Sequence, residues 1–187
     1  MSMFWQKNLQ LPLDNTIIDV IQFGSSTIDG ATPNDIDIAV LFKDVSLKKQ
    51  LEVAQDIKQE LEKTNPLPVH VKAYTYETLF SENNFARPGI LGHGISILTK
   101  KPFVETLGLT AHIEFAYSLQ QLTKTQKVRI HYQLRGKKGA YGILKKIGGD
   151  LVRPGLIRVP VSTEKIVEDF FMEEHIEHEK KLVFEIQ

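Results

Sequence analysis

Two aspartates one residue apart, Asp35 and Asp37, lie within the otherwise apolar stretch DIDIAVLF. A β-strand places residues i and i+2 on the same face, so the two carboxylates are expected to project together. Side by side they repel each other, and burial disfavours their charged forms. A cation between them removes the repulsion, and oxygen ligands with room for water and phosphate suit Mg²⁺ or Mn²⁺. The pair therefore predicts a metal site.

A Gly-Ser turn, Gly24-Ser25, precedes the aspartates in the chain. Glycine allows a backbone to approach a ligand closely, and the N–H groups that follow can bind phosphate oxygens. The hydroxyl of Ser25 adds another donor. A phosphate-binding turn next to a carboxylate pair is suited to moving a phosphoryl or nucleotidyl group. Each feature alone is also typical of an ordinary turn or an exposed strand edge, so the prediction depends on their joint occurrence.

The elements that must position these residues predict a small α/β domain over residues 1–105. A helix over 46–63 has Ser46 as its N-cap and is stopped by Pro66. A short helix is expected within 75–84. The predicted strands cover 17–23, 35–42, 68–76 and 92–100.

The stretch QFGSSTIDGATPNDIDIAVLF resembles the signature of the nucleotidyltransferase superfamily that includes DNA polymerase beta, and most closely its minimal nucleotidyltransferase members. The pattern is an apolar strand, Gly-Ser, a short connection and then Asp-apolar-Asp-apolar. The resemblance covers about residues 17–101. It implies an α/β (α+β) nucleotidyltransferase fold, with a small mixed sheet flanked by helices.

The resemblance also implies an activity and roles for the site residues. A nucleoside monophosphate would pass from a nucleoside triphosphate, with ATP as the expected one, to an acceptor hydroxyl, and pyrophosphate would be released. Gly24 and Ser25 would contact the triphosphate, and Asp35 and Asp37 would bind Mg²⁺ or Mn²⁺. The acceptor could be RNA, DNA or a protein.

The chain departs from the family pattern in its third carboxylate, which normally lies on the next strand and acts as a base. His70 occupies the matching position. An imidazole can act as a base near neutral pH, but His70 could also be an ordinary half-buried strand residue. Glu77 is a weaker candidate because it is expected to begin a helix. No arginine follows the Gly-Ser turn, although minimal members often carry one there.

The rest of the chain, residues 106–187, predicts a smaller, mainly helical α+β domain that has a basic segment and an acidic tail. Residues 106–160 carry 10 Lys and Arg against two acids, whereas residues 161–187 carry 3 lysines and 8 acids. A helix is expected over 105–122, followed by two basic helices that are broken at Gly136. A strand over 154–161, a helix over 162–177 and a strand over 181–186 complete the domain.

The basic segment 124–146 could contact the phosphate backbone of RNA or DNA, while Tyr132 and Tyr141 could stack on unpaired bases. It could equally form a helical core with solvated cations outside, or hold the acidic tail or an acidic partner. The candidate nucleic-acid contacts are Lys124, Lys127, Arg129, Arg135, Lys137 and Lys138.

The composition excludes several other classes of protein. Without cysteine the chain can form neither disulfides nor thiolate metal sites. It has no apolar run near the roughly 20 residues of a membrane span and no signal-peptide pattern, so we expect a cytoplasmic protein without a membrane partner. The leading hypothesis is a metal-dependent nucleotidyltransferase. The alternatives are a catalytically weak or inactive module that binds nucleotide or nucleic acid, and an antitoxin-like protein that acts on a protein partner.

Overall fold

The structure is a computed structural model that describes Phe4, residues 9–137 and residues 140–187. It divides into two compact units, Met1–Leu109 and Thr110–Gln187. The helices and strands of the first unit are β1 Ile17–Phe23, β2 Ile36–Phe42, α1 Leu47–Glu62, β3 Val69–Thr75, α2 Tyr76–Phe80, α3 Arg87–His93 and β4 Ile95–Ser96, with 3-10 turns at Gly24–Thr27 and Phe103–Leu107.

The four strands of the first unit form one mixed sheet in the order β3-β2-β1-β4. β2 runs antiparallel to β1 and parallel to β3, and β4 runs antiparallel to β1. The predicted small mixed sheet is therefore confirmed. β4 is only two residues long, much shorter than the strand expected over 92–100.

Helix α1 covers one face of this sheet. The side chain of Ser46 accepts a hydrogen bond from the backbone N–H of Lys49, which confirms the predicted N-cap. Val53, Ile57 and Leu61 recur at helical spacing and are buried against the sheet. The sheet contributes every second residue of β2 to this core, because side chains alternate between the two faces of a strand.

The opposite face of the sheet is covered by α2, α3 and the second 3-10 turn. Leu79, Ile90 and Phe103 pack there on Ala39 and Leu41 of β2. Helix α2 lies within the predicted stretch, whereas the short, proline-containing α3 was not expected from the sequence. Because both faces are covered, β2 reads as a nearly continuous apolar run, and Asp37 is the exception within it.

The second unit is an α+β unit with its own core. Its four-stranded sheet has the order β10-β5-β9-β8. Phe115 and Phe171 make an edge-to-face contact, with ring centroids 5.7 Å apart, at the centre of that core. Its elements are β5 Leu109–Ser118, α4 Lys124–Arg135, β6 Gly136–Lys137, β7 Ala140–Tyr141, α5 Ile143–Ile147, β8 Asp150–Arg153, β9 Leu156–Pro160, α6 Glu164–Glu173 and β10 Glu177–Ile186.

The helix predicted over 105–122 is wrong, because most of this segment is strand β5. Ile113 and Phe115 are fully buried and alternate with residues that are less buried, which is the period of a strand. The segment is also rich in β-branched and aromatic residues, which favour strands. Pairing with β9 stabilises this conformation, and that pairing joins residues far apart in the chain.

A buried carboxylate, Asp19, lies in β1 of the first unit. The Ser96 hydroxyl donates to its Oδ1 over 2.7 Å, and so does the backbone N–H of Val20. Burial raises the pKa of Asp19 above its ordinary value of 3.8, although the two hydrogen bonds oppose that rise. The stability contributed by the neutral form is therefore present at low pH and is lost as the pH rises through the folded-state pKa.

We expect Asp19→Asn to match or exceed the wild-type free energy of unfolding at pH 7, because the amide oxygen still accepts both hydrogen bonds and no charge is buried. The advantage should shrink as the pH is lowered toward 4 in urea unfolding experiments. Asp19→Ala is the matched comparison, and it should cost about 1–3 kcal/mol because the buried Ser96 hydroxyl loses its acceptor. An asparagine variant less stable than the alanine variant would contradict this account.

Candidate active site

Three neighbouring strands place two of the predicted site residues, Asp37 and His70, next to each other and level with the end of β1. In the sheet register, Phe23 at the end of β1 lies opposite Asp37 of β2, and Asp37 lies opposite His70 of β3. Gly24 follows directly after Phe23, so the Gly-Ser turn begins where β1 ends. Asp37 lies at one end of β2, and Asp35 comes just before that strand.

The side chains of Asp35, Asp37 and His70 lie close together at the surface of the first unit. His70 Nδ1 is 3.6 Å from Asp35 Oδ2 and 4.0 Å from Asp37 Oδ1. The three side chains are 40%, 34% and 56% exposed in that order. The site is therefore a partly desolvated edge that a ligand can reach from solvent.

The charge of Asp37 is held in an unfavourable environment. Burial is the largest cause of its raised pKa, and the nearby carboxylate of Asp35 raises it further. His70 and Lys72 act in the opposite direction. Tyr74 lies on β3 with His70 and Lys72, and its pKa is raised by its own burial and then by the charge of Asp37. A bound cation would relieve the repulsion between the carboxylates and favour their ionised forms.

Hydrogen bonds hold the Gly-Ser turn in place. The side-chain amide of the buried Gln22 donates to Ser26 Oγ over 3.0 Å, and that hydroxyl donates to the Phe23 carbonyl. The Thr27 hydroxyl donates to the carbonyl of Gly24 over 2.8 Å. Ser25 itself is exposed, while the hydrogen bonds of its neighbours shape the backbone.

These positioning residues were not identified from the sequence. The signal available was a polar side chain on each side of the Gly-Ser pair, at Gln22 and at Ser26-Thr27. Polar residues around a turn are common, and their burial is a property of the folded sheet.

Gly24 is required by geometry. Its φ is +77°, a backbone conformation that L side chains rarely adopt, and a Cβ at this position would lie 2.9 Å from Asp37 Oδ2. Gly24 therefore lies beside the Asp37 carboxylate, and a larger residue at this position would crowd that carboxylate. Asp35 and Asp37 are the residues that could hold a divalent cation. Among the described residues, however, no group of three or more acidic or histidine side chains is arranged as a complete metal site. Phosphate and water would have to supply the remaining ligands.

The other predicted site residues lie elsewhere. Glu77 is in the first turn of α2, at the opposite end of β3 from His70. Lys124, Lys127, Arg129, Arg135 and Lys137 belong to the second unit, where they lie on α4 and at the start of the following hairpin. Lys138 lies outside the described residues.

The fold and the site define the class of protein. A mixed sheet carries a Gly-Ser turn after its first strand and an Asp-apolar-Asp pair at the start of the next, and the nucleotidyltransferase domain family matches residues 1–104. The chain therefore belongs to the nucleotidyltransferase domain family, as the resemblance predicted. Nucleotidyl transfer is the general activity that this domain supports.

Two further findings bear on the identity of the chain. No curated protein sequence matches it at a significant level. In the part of the chain that the structure describes, every helix is too short or too polar to cross a membrane.

We expect Gly24→Ala to weaken triphosphate binding at least about tenfold, because the added methyl group displaces Asp37 Oδ2 and strains a left-handed residue. Gly30→Ala is a matched control. Its φ of +80° imposes the same strain, but nothing lies within 4 Å of the added Cβ. Both variants should lose about 1–2 kcal/mol of stability. Titration calorimetry with a non-hydrolysable triphosphate measures the difference, and equal affinities in the two variants would contradict a role for the contact with Asp37.

Proposed function

We propose that the protein is a metal-dependent nucleotidyltransferase that moves a nucleoside monophosphate, with ATP as the expected donor, to an acceptor hydroxyl. The observation that carries the proposal is the register of three adjacent strands, which places Asp37 opposite His70 and opposite the end of β1, where Gly24 begins the turn, with Asp35 beside them. This arrangement combines a turn that can bind phosphate, a carboxylate pair and a potential base within a few ångströms.

Each residue has a distinct role in this proposal. The backbone N–H groups after Gly24 and the hydroxyl of Ser25 hold the triphosphate. Asp35 and Asp37 hold Mg²⁺ or Mn²⁺, which when bound neutralises the phosphate oxygens and aligns the attacking and leaving oxygens. His70 is exposed beside both carboxylates, where its imidazole can accept a proton from an incoming hydroxyl.

The proposed transfer is a displacement at the α-phosphorus of the triphosphate. The acceptor oxygen forms a bond to the α-phosphorus of the triphosphate. The bond from that phosphorus to the bridging oxygen breaks, and pyrophosphate leaves with the electron pair. The hydroxyl proton passes to the imidazole of His70, which releases it to solvent.

Pyrophosphate release is the measurement that tests the proposal. It should be followed with each of the four ribonucleoside triphosphates, with Mg²⁺ or Mn²⁺, and with RNA, DNA or protein acceptors. Wild type is compared with a variant in which both aspartates are replaced by asparagine. Equal release by the two proteins would overturn the site assignment.

A second function is favoured by one observation, which is that His70 occupies the position where the family normally carries a third carboxylate. The chain would then bind triphosphate or nucleic acid with little or no turnover. This function predicts triphosphate binding that depends on Asp37 and Gly24, without pyrophosphate release under any of the conditions above. Calorimetry and the release assay on the same preparation separate the two functions.

A further inference from the structure

The second unit carries a cavity of about 260 Å³ beside helix α4. Its wall combines apolar groups with two basic side chains from one helix. The cavity is lined by Tyr117, Leu119, Gln120, Lys127, His131, Pro154 and Gly155. Pockets for drug-sized ligands have volumes of about 300–1,000 Å³. This one is smaller, and its volume is sufficient for a single nucleobase.

One flank of α4 presents a row of basic side chains that leads past this cavity. Lys124, Lys127, His131 and Arg135 are spaced by three, four and four residues, which places them next to one another on a helix surface. Lys127 and His131 line the cavity itself. The guanidinium of Arg135 is close enough to Tyr117 to lower the pKa of that phenol, against the larger effect of burial. Among the described residues, none of these four side chains forms an ion pair with an acid.

The other flank of α4 is neutralised. Arg129 forms an ion pair with Glu174, and the side-chain amide of Gln133 donates to the same carboxylate over 3.0 Å. The acidic tail, residues 161–187, therefore holds Arg129 through Glu174. A contact between the basic segment and this tail was one of the alternatives that the sequence left open. The two flanks of one helix differ in their free positive charge.

The two sides of Tyr117 also differ in charge, with basic residues of α4 on one side and acidic residues on the other. Tyr117 and Gly155 also line a second groove, and that groove contains Glu177 and Glu179. A polyanion is attracted to the α4 side of Tyr117 and repelled on the other. The exposed rings of Tyr132 and Tyr141 are less suited to stacking, because Lys137 and Lys145 already lie over them at 5.3 and 5.6 Å.

We propose that this flank of α4 binds a single-stranded nucleic acid, with backbone phosphates along Lys124, Lys127, His131 and Arg135 and one unpaired base in the cavity beside Tyr117. A positively charged track next to an aromatic group is the combination that single strands require. A paired base cannot enter the cavity without leaving its helix, so a duplex is excluded as the preferred ligand.

This inference deepens the proposed function by naming the class of acceptor, and it rests on that function only for the transfer step. The binding itself requires neither triphosphate nor metal. If pyrophosphate release fails while the single strand still binds, the proposed function is overturned and this inference stands. If the single strand does not bind while another acceptor is turned over, only this inference is overturned.

The test is fluorescence anisotropy of the full chain with labelled single-stranded RNA of about 12 nucleotides, repeated over a series of salt concentrations. The same experiment is run with single-stranded DNA of the same sequence, with the duplex, with an oligonucleotide lacking its bases, and with inorganic polyphosphate. Tighter binding to RNA or to DNA identifies which sugar the site prefers, and either result supports the proposal.

The double variant Lys124→Ala/Lys127→Ala should bind the single strand at least about tenfold more weakly and reduce the salt slope by about 1.4, since each phosphate contact contributes roughly 0.7. Arg129→Ala is the control on the opposite flank, where it removes one positive charge against the two of the double variant, and its affinity should stay within about twofold of wild type. Thermal unfolding of each variant verifies the fold. Loss of the bases should cost about tenfold in affinity.

Three results would overturn the proposal. The first is that Arg129→Ala weakens binding as much as the double variant does. The second is that the duplex or the polyphosphate binds as tightly as the single strand. The third is that the wild-type chain binds no single strand at low salt.

Discussion

Replacing Asp35 and Asp37 together by asparagine is expected to lower the rate of pyrophosphate release at least about a thousandfold, which corresponds to about 4 kcal/mol of transition-state stabilisation. Asparagine preserves the shape of the side chain but removes the charge that holds a divalent cation. The single variants should each lose most of the activity, because both carboxylates lie at the same site, each within 4.0 Å of His70. Release is measured at saturating triphosphate and metal.

Although these variants should lose activity, their free energy of unfolding should not fall. Burial and the charge of Asp35 raise the pKa of Asp37, so the ionised carboxylate destabilises the folded state once the pH exceeds the ordinary value of 3.8 and passes through the raised pKa. Asp37→Asn should therefore be as stable as wild type at neutral pH, or more stable. Asp29→Asn, at an exposed position in the connection before β2, is the control and should leave both activity and stability unchanged. Double variants that retain more than a tenth of wild-type release would contradict the assignment.

Replacing His70 by alanine should lower turnover about 10²- to 10⁴-fold, which is the range for loss of a general base. Triphosphate binding should persist, because the Gly-Ser turn and the carboxylate pair are untouched. His70→Asp places a third carboxylate opposite Asp37 in the sheet register. It should retain turnover, because the new carboxylate can accept the hydroxyl proton in place of the imidazole.

The pair of His70 variants also separates the two proposed functions. If wild type releases no pyrophosphate but His70→Asp does, the natural chain is a binding module that lacks a base. Glu77→Gln tests the alternative carboxylate and should have no effect, since Glu77 lies in α2 beyond the far end of β3. Turnover by His70→Ala at the wild-type rate would exclude His70 as the base.

Much of the first unit follows from local patterns in the sequence. The apolar run of β2, the helical spacing and Ser46 cap of α1, and the alternation of β3 each depend on residues that are close together in the chain. Gly24-Ser25 and Asp35-Asp37 were predicted as site residues for the same reason, since their spacing along the chain is the pattern that resembles the family. Helix α3 was not expected because it is short and contains proline and glycine, which give no apolar period.

The residues that complete each site depend on contacts between distant parts of the chain. His70 lies beside Asp37 because β2 and β3 pair in parallel with this register, and the contact of Gly24 with Asp37 depends on the antiparallel pairing of β1 and β2. Strand β5 is a strand because β9 pairs with it. Likewise, Glu174 forms an ion pair with Arg129, whereas Lys127 on the same helix has no acidic partner among the described residues. The sequence by itself determined which chemical groups are present and the local structure that carries them. The tertiary structure decided which of these groups meet, because strand register and packing join residues that local periodicity does not relate.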